Sequence, residues 1–157
     1  MATPLVAERI VASPDQEATR SLGRRLATVA GAGDLICLYG ELGAGKTQLA
    51  KGFGVGLGVS DIISSPSFVL MTEYEGRLRL FHLDLFRLAD AVDAVAGGLV
   101  DDRQEMGVTL VEWAERLGPA RPAARLDVVI EGTGDEPRLI RIVATDPGYE
   151  RYLEAAG

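Results

Sequence analysis

Gly40-Glu41-Leu42-Gly43-Ala44-Gly45-Lys46-Thr47 satisfies G-x-x-x-x-G-K-[ST] at every position. That spacing has a phosphate chemistry. Glycines let the backbone curl until its N–H groups point inward, and the start of a following helix adds the positive end of its dipole. Lys46 is placed to pair with the β- and γ-phosphates of a nucleotide, and Thr47 to set its hydroxyl on Mg²⁺. The contacts expected for ATP are therefore Glu41, Leu42, Gly43, Ala44, Gly45, Lys46, Thr47 and Gln48. Such a loop needs a further acid on the metal side, and two residues qualify. Glu112 ends the apolar run Val108-Thr109-Leu110-Val111, and an acid at the carboxyl end of a buried parallel strand faces the phosphate crevice. Asp84 ends Leu78–Leu83, which alternates and reads as half exposed, so Asp84 is assigned to positioning water or supporting the metal ligands. Lys46, Asp84 and Glu112 are the catalytic candidates, and Thr47 and Glu112 the metal candidates.

The elements that must position these residues are legible on either side of the loop. Asp34–Tyr39 (DLICLY) is a short apolar run of the kind that forms a buried parallel strand. Thr47–Leu57 reads as a helix with Leu49, Phe53 and Leu57 inward. Gly52, Gly54 and Gly56 weaken it and predict a close-packed neighbour. Upstream, Ser13-Pro14-Asp15-Gln16 looks like a helix start with Ser13 as cap and Gln16 completing a capping box. Ala18, Leu22, Leu26 and Val29 follow on one face. Two hairpins are expected, Ser67–Tyr74 with Leu78–Leu83 and Leu126–Glu131 with Leu139–Ala144. Leu88–Ala96 reads as helical, and the chain from Asp146 as a loosely held helix or disorder. The order predicts one α/β domain over residues 1–157, a P-loop NTPase-like mixed β-sheet flanked by helices, with β-hairpins.

Composition narrows the function. The chain has 157 residues, 47% of them hydrophobic, and a net charge of −7. Acids outnumber bases 23 to 16, and the only lysines are Lys46 and Lys51. Direct nucleic-acid binding depends on clustered basic residues that displace counterions, so any link to RNA is expected to run through a partner. No run of apolar residues reaches membrane-spanning length and no secretory signal opens the chain, which predicts a cytoplasmic protein without membrane contact. Cys37, the only cysteine, lies in the apolar run and reads as a buried small side chain. His82 and Trp113, the only residues of their types, read as structural. The absence of an Asn/Thr-Lys-x-Asp segment favours adenine over guanine. Thr19 is a candidate for the adenine pocket.

In their order along the chain, PDQEATRSLG, YGELGAGKTQLAKGF, SPSF at Ser65–Phe68, FHLDLFRLAD at Phe81–Asp90 and LVEW at Leu110–Trp113 are more specific than the loop alone. With them the chain resembles the TsaE (YjeE) family of bacterial P-loop ATPases, from about Ser13 to Ala144. The resemblance implies a role in making threonylcarbamoyladenosine at position 37 of tRNAs that read codons starting with A. It implies a complex with TsaB- and TsaD-like proteins, in which the TsaD-like subunit carries the transfer chemistry and ATP hydrolysis here supports turnover. Lys46 and Thr47 inherit phosphate and Mg²⁺ roles, Glu112 a Mg²⁺ role, and Asp84 the place of the family's HxDLYRL aspartate. Ser65-Pro66-Ser67 matches a switch-like Ser-Pro-Thr. Ser67 stands where Thr is usual and keeps the hydroxyl. Gln48 stands where a second Thr is common, which removes that hydroxyl.

Two other classes fit the same loop. One is a small-molecule kinase, for which Arg116, Arg121 and Arg125 would have to act as lid arginines over an anionic acceptor. The other is a nucleotide-gated binding module with negligible hydrolysis.

Overall fold

The computed structural model describes residues 7–41, 43–63, 71–86 and 105–157. Leu42, Ser67, the Ser65–Phe68 segment and the expected helix at Leu88–Ala96 lie outside them. Among the described residues one seven-stranded sheet forms, in the order β1-β7-β6-β2-β5-β4-β3. Its strands are β1 (Ala7–Ser13), β2 (Leu35–Tyr39), β3 (Met71–Tyr74), β4 (Leu80–Asp84), β5 (Val108–Glu112), β6 (Leu126–Glu131) and β7 (Arg138–Ala144). The four inner strands β6, β2, β5 and β4 are parallel. Antiparallel neighbours extend both sides, β7 and β1 beyond β6, and β3 beyond β4. The sheet is therefore mixed, and both expected hairpins are present within the described residues.

The chain order reverses at β2, which has β5 on one side and β6 on the other. Such a point opens a crevice beyond the carboxyl ends of parallel strands, where ligands bind in open α/β sheets. Helix α2 (Lys46–Gly56) starts there. Together with α1 (Gln16–Ala27) it covers one face of the sheet, over a core that includes Leu22, Leu26, Ile36, Leu38, Leu49, Phe53, Leu80, Leu110 and Val128. The other face carries a smaller cluster of Cys37, Phe81, Leu83, Leu85, Val111, Ala114 and Leu117.

The glycines of α2 act as the sequence predicts. A Cβ at Gly52 would lie 1.8 Å from the Arg20 carbonyl oxygen, and one at Gly23 of α1 would lie 2.2 Å from that of Leu49. The two helices touch backbone to backbone at these points. Helix propensity is given up to bring α2, and the loop ahead of it, close against α1.

Three expectations are corrected, and one strand is added. The cap of α1 is Asp15, whose Oδ1 accepts the Ala18 N–H at 2.8 Å. Ser13 cannot cap, because it still belongs to β1 and pairs with Arg138; its hydroxyl instead bonds that of Thr19 at 2.7 Å. The strand β1 itself has no counterpart in the sequence reading. β4 is buried from Leu80 to Leu83 rather than half exposed, since β5 and β3 flank it and both faces are covered. Finally, the C-terminal segment is packed, not loose. It forms a 3-10 turn at Pro147–Tyr149 and helix α3 (Arg151–Ala155). Tyr152 is fully buried with its hydroxyl on Asp34, and the Tyr149 hydroxyl accepts the Leu35 N–H at 2.9 Å.

Two outcomes follow from this packing. Gly52→Ala gains about 1 kcal/mol of helix propensity but forces two backbones apart, an overpacking cost of about 1–3 kcal/mol or more. The net effect is a lower urea midpoint than wild type. Gly54→Ala, which meets the flexible Ile63 side chain, loses less. A Gly52→Ala midpoint at or above wild type contradicts the close contact. Cys37 is fully buried, and burial pushes its thiol up to about 12. A disulfide reagent at pH 8 is therefore expected to modify Cys37 only at the rate of unfolding, since both access and thiolate are withheld. Fast modification of the folded protein contradicts that placement.

Candidate functional site

The loop after β2 is set by its glycines. Gly43 and Gly45 hold φ of 83° and 119°, a region that costs other residues energy. Gly45 is the N-cap of α2 and provides no side chain to bond the first-turn N–H groups. Those groups start the helix at the crevice, which is the arrangement that receives an anion.

Lys46 lies inside this curl. Its Nζ donates to the carbonyls of Gly40 and, at 3.0 Å, Glu41, and sits 4.2 Å from the centre of the Trp113 ring. Burial pushes the ammonium below the ordinary lysine range, and the charges of Glu112, Glu115, Asp84 and Glu41 oppose that shift. Trp113 is the only non-glycine residue with positive φ among the described residues, at 60°. A bulky residue held there is strained by about 1–3 kcal/mol. The turn carries the chain sharply away after Glu112 and places the indole beside Lys46, with the Phe86 ring 4.9 Å away.

Glu112 is 2% exposed and lies beside the loop. The Thr47 hydroxyl donates to its Oε1 at 3.2 Å, and His82 Nε2 lies 2.7 Å from its Oε2. Asp84 is the register partner of Glu112 on the neighbouring strand, and its Oδ1 accepts the Phe86 N–H at 3.0 Å. The two acids expected from the sequence therefore meet at the ends of adjacent parallel strands. The donor chemistry of Thr47 and Glu112 fits Mg²⁺: a hydroxyl and a carboxylate are hard oxygen ligands, and this ion usually takes only one or two protein carboxylates together with phosphates and water. Among the described residues no group of three or more His, Cys, Asp and Glu side chains forms an all-protein cage.

A cleft of about 530 Å³ joins these parts. Gly43, Ala44, Gly45, Lys46, Thr47 and Gln48 form its floor, with Asp84, Glu112, Phe86 and Trp113 at one end. Ser13–Gln16 and Thr19 line it as well, as do Gly134–Glu136 and Arg138, the last paired with Ser13 across β7 and β1. Thr19 is 2% exposed with its hydroxyl bonded to Ser13, so it meets the cleft as a wall. The Glu41 side chain is exposed and outside the lining; its carbonyl serves Lys46 instead.

Arg138 escaped the sequence reading. Its guanidinium donates to Ala44 O at 2.8 Å, Gly43 O at 3.3 Å, Gly134 O at 3.0 Å and the Glu136 carbonyl. It ties the β6–β7 hairpin to the phosphate loop. Nothing local in the sequence marks an arginine for that task, because its acceptors are backbone atoms up to 95 residues away. Two of the arginines offered for a kinase lid lie elsewhere. Arg121 donates to the Tyr39 hydroxyl at 2.8 Å and Arg125 to Asp127 at 2.8 Å. Tyr39 packs with the smaller cluster, on the sheet face away from α1 and α2.

With this geometry in place, the relatives are informative. The family model described as "Threonylcarbamoyl adenosine biosynthesis protein TsaE" matches residues 13–140. The tRNA threonylcarbamoyladenosine biosynthesis protein TsaE of Bacillus subtilis is 40% identical over 139 residues, 88% of this chain and 87% of that one. The protein of the same name from Streptomyces coelicolor is 39% identical over 130 residues, 78% and 88% of the two chains. The crystal structure of Bacillus subtilis YdiB superposes with a TM-score of 0.77 at 34% identity, covering 98% of this chain and 97% of that one. The matched span runs from the Ser13 wall of the cleft through the phosphate loop and Glu112 to β7, and on that evidence the chain belongs to the TsaE family of threonylcarbamoyladenosine biosynthesis proteins.

Proposed function

We propose that the chain binds ATP with Mg²⁺ in this cleft and hydrolyses it slowly, supporting threonylcarbamoyladenosine formation on tRNA together with TsaB- and TsaD-like proteins in the cytoplasm. One observation carries the reading: the Thr47 hydroxyl and the buried Glu112 carboxylate meet at 3.2 Å beside the Lys46 loop. A strand-end acid, a helix-start hydroxyl and a loop lysine converge there on one cleft.

Each residue has a defined task in that reaction. The first-turn N–H groups of α2 and the loop amides bind phosphate oxygens. Lys46 exchanges its carbonyl contacts for β- and γ-oxygens. Thr47 and Glu112 would hold the cation, which would supply positive charge to offset that of the phosphates. Asp84, on the adjacent strand end, orients the attacking water. Gln48, next on the helix, and Ser67, from outside the described residues, are further nucleotide contacts. Thr19 and the Gly134–Glu136 turn border the space left for the base and sugar. The −7 charge leaves tRNA to the partners. A kinase reading draws no support from Arg121 and Arg125, whose guanidinium groups bond Tyr39 and Asp127.

Lys46→Ala is expected to abolish ATP turnover in a chain that still folds, with a lowered thermal midpoint because the buried side chain bonds the Gly40 and Glu41 carbonyls and offsets the Glu112 charge. Glu112→Gln is expected to weaken nucleotide binding with Mg²⁺ more than binding in EDTA. Turnover at the wild-type rate in the first variant, or equal losses in the second, contradicts the assignment. The isolated chain is expected to turn over well below the roughly 1–100 s⁻¹ of kinases, and TsaB- and TsaD-like proteins are expected to change that rate. Phosphate-release assays with and without them, alongside a search for labelled γ-phosphate on a metabolite, separate this reading from a kinase and from a non-hydrolysing module.

A further inference from the structure

The interior strand β4 reads Leu80-Phe81-His82-Leu83-Asp84, and its first four residues are buried. His82 is the polar exception, at 0% exposure. The register sets it against Leu110 of β5 and Thr72 of β3, two residues before the Asp84–Glu112 pair. Side chains two apart on a strand share a face, so His82, Asp84 and Glu112 all project from the side covered by α2. A leucine at this position would suit the layer. The histidine leaves its Nδ1 buried without a hydrogen-bond partner, a placement that is costly in a protein interior. Satisfying its own polar atoms is therefore not what explains it.

What the histidine supplies is one directed bond. Its Nε2 lies 2.7 Å from Glu112 Oε2. A carboxylate only accepts, so Nε2 carries the hydrogen. The terminal torsion of a glutamate is otherwise broad and roughly two-fold. With Oε2 held by His82, Oε1 is the oxygen nearer the Thr47 hydroxyl, at 3.2 Å against 3.5 Å. We propose that His82 is a positioning residue for the cation site, holding the Glu112 carboxylate in the one orientation that pairs it with Thr47. The proposal rests on the Mg²⁺–ATP reading above and assigns His82 no contact with nucleotide or metal. Partners that orient a metal ligand in this way are commonly worth about 10–100-fold in metal affinity.

Two substitutions of similar polarity separate this role from a structural one. The Gln amide nitrogen is as many bonds from the backbone as Nε2, whereas the Asn amide stops one bond short. Binding of a fluorescent non-hydrolysable ATP analogue is titrated with Mg²⁺ and repeated in EDTA. His82→Asn is expected to raise the half-saturating Mg²⁺ by about 10–100-fold while affinity in EDTA stays within about twofold. His82→Gln is expected to return most of the loss. In the Glu112→Gln background His82→Asn is expected to add nothing, because the two act through one carboxylate. Should His82→Asn not fold, His82→Leu, which fills the apolar layer, takes its place with the same expectations. Variants that lower the thermal midpoint yet keep the wild-type Mg²⁺ requirement overturn the proposal, as do equal losses with and without Mg²⁺. A wild-type protein whose analogue binding ignores Mg²⁺ overturns the cation reading itself, a separate result.

Discussion

A carboxylate buried at the end of a central strand must be compensated, since removing an ionised group from water costs several kcal/mol even after relaxation. At Glu112 the compensation comes from three directions. His82 reaches it from β4, the Thr47 hydroxyl from the first turn of α2, and Lys46 adds a nearby positive charge that Glu112 in turn favours. Lys46 and Thr47 are neighbours in the chain, but His82 and Glu112 lie far from them and from each other. They meet because β5 lies between β2 and β4 with all three parallel, which places the end of β5 beside both the phosphate loop and the end of β4. The sheet order is thus what makes this charge tolerable, and a charge so placed is one that a divalent cation can use.

The loop itself is fixed from two further sides. Behind it, the contact between Gly52 of α2 and the Arg20 carbonyl of α1 holds the helix down. Beside it, Arg138 bonds Gly43 and Ala44 and joins them to Gly134 and Glu136. The carbonyls of Gly43 and Ala44 are thereby satisfied by a guanidinium. The same hairpin lines the cleft wall, so it couples that wall to the phosphate loop without entering the chemistry.

The phosphate loop, the strand before it and the helix after it were legible because their signals are local: a fixed glycine spacing, an apolar run and a helical period. The place of Glu112 at the end of β5 was legible because a buried parallel strand has a recognisable composition. The misread parts depend on partners far away in sequence. Leu78–Leu83 looked half exposed because Arg79 and His82 interrupt its apolar residues, yet His82 is buried between β3 and β5 and bonds a residue 30 positions on. The Ser13 cap failed because β1 continues through Ser13, and β1 exists through pairing with β7, more than a hundred residues later. The C-terminal segment looked loose for want of a long apolar period. Its two buried tyrosines are anchored at Asp34 and Leu35, which no window across the tail could show.

The charge of the cleft bears on why such a site would work in company. Among its described lining residues the acids are Asp15, Asp84, Glu112, Asp135 and Glu136, and the bases are Lys46 and Arg138. Arg138 is engaged with four backbone carbonyls, which leaves Lys46 as the described lining cation placed to exchange its contacts for phosphate. Under the proposed reading, a triphosphate entering here would meet more negative charge than positive, so its binding would depend on a cation at Thr47 and Glu112 and on the helix dipole. Transfer of the γ-phosphoryl group spreads further charge over its oxygens, and a positive group aimed at them can be worth about 10³–10⁵ in rate. Such a group has to arrive from outside the described lining. A subunit that brings it only on assembly would make hydrolysis conditional on the complex, and the acidic cleft would keep the isolated chain from spending ATP without it.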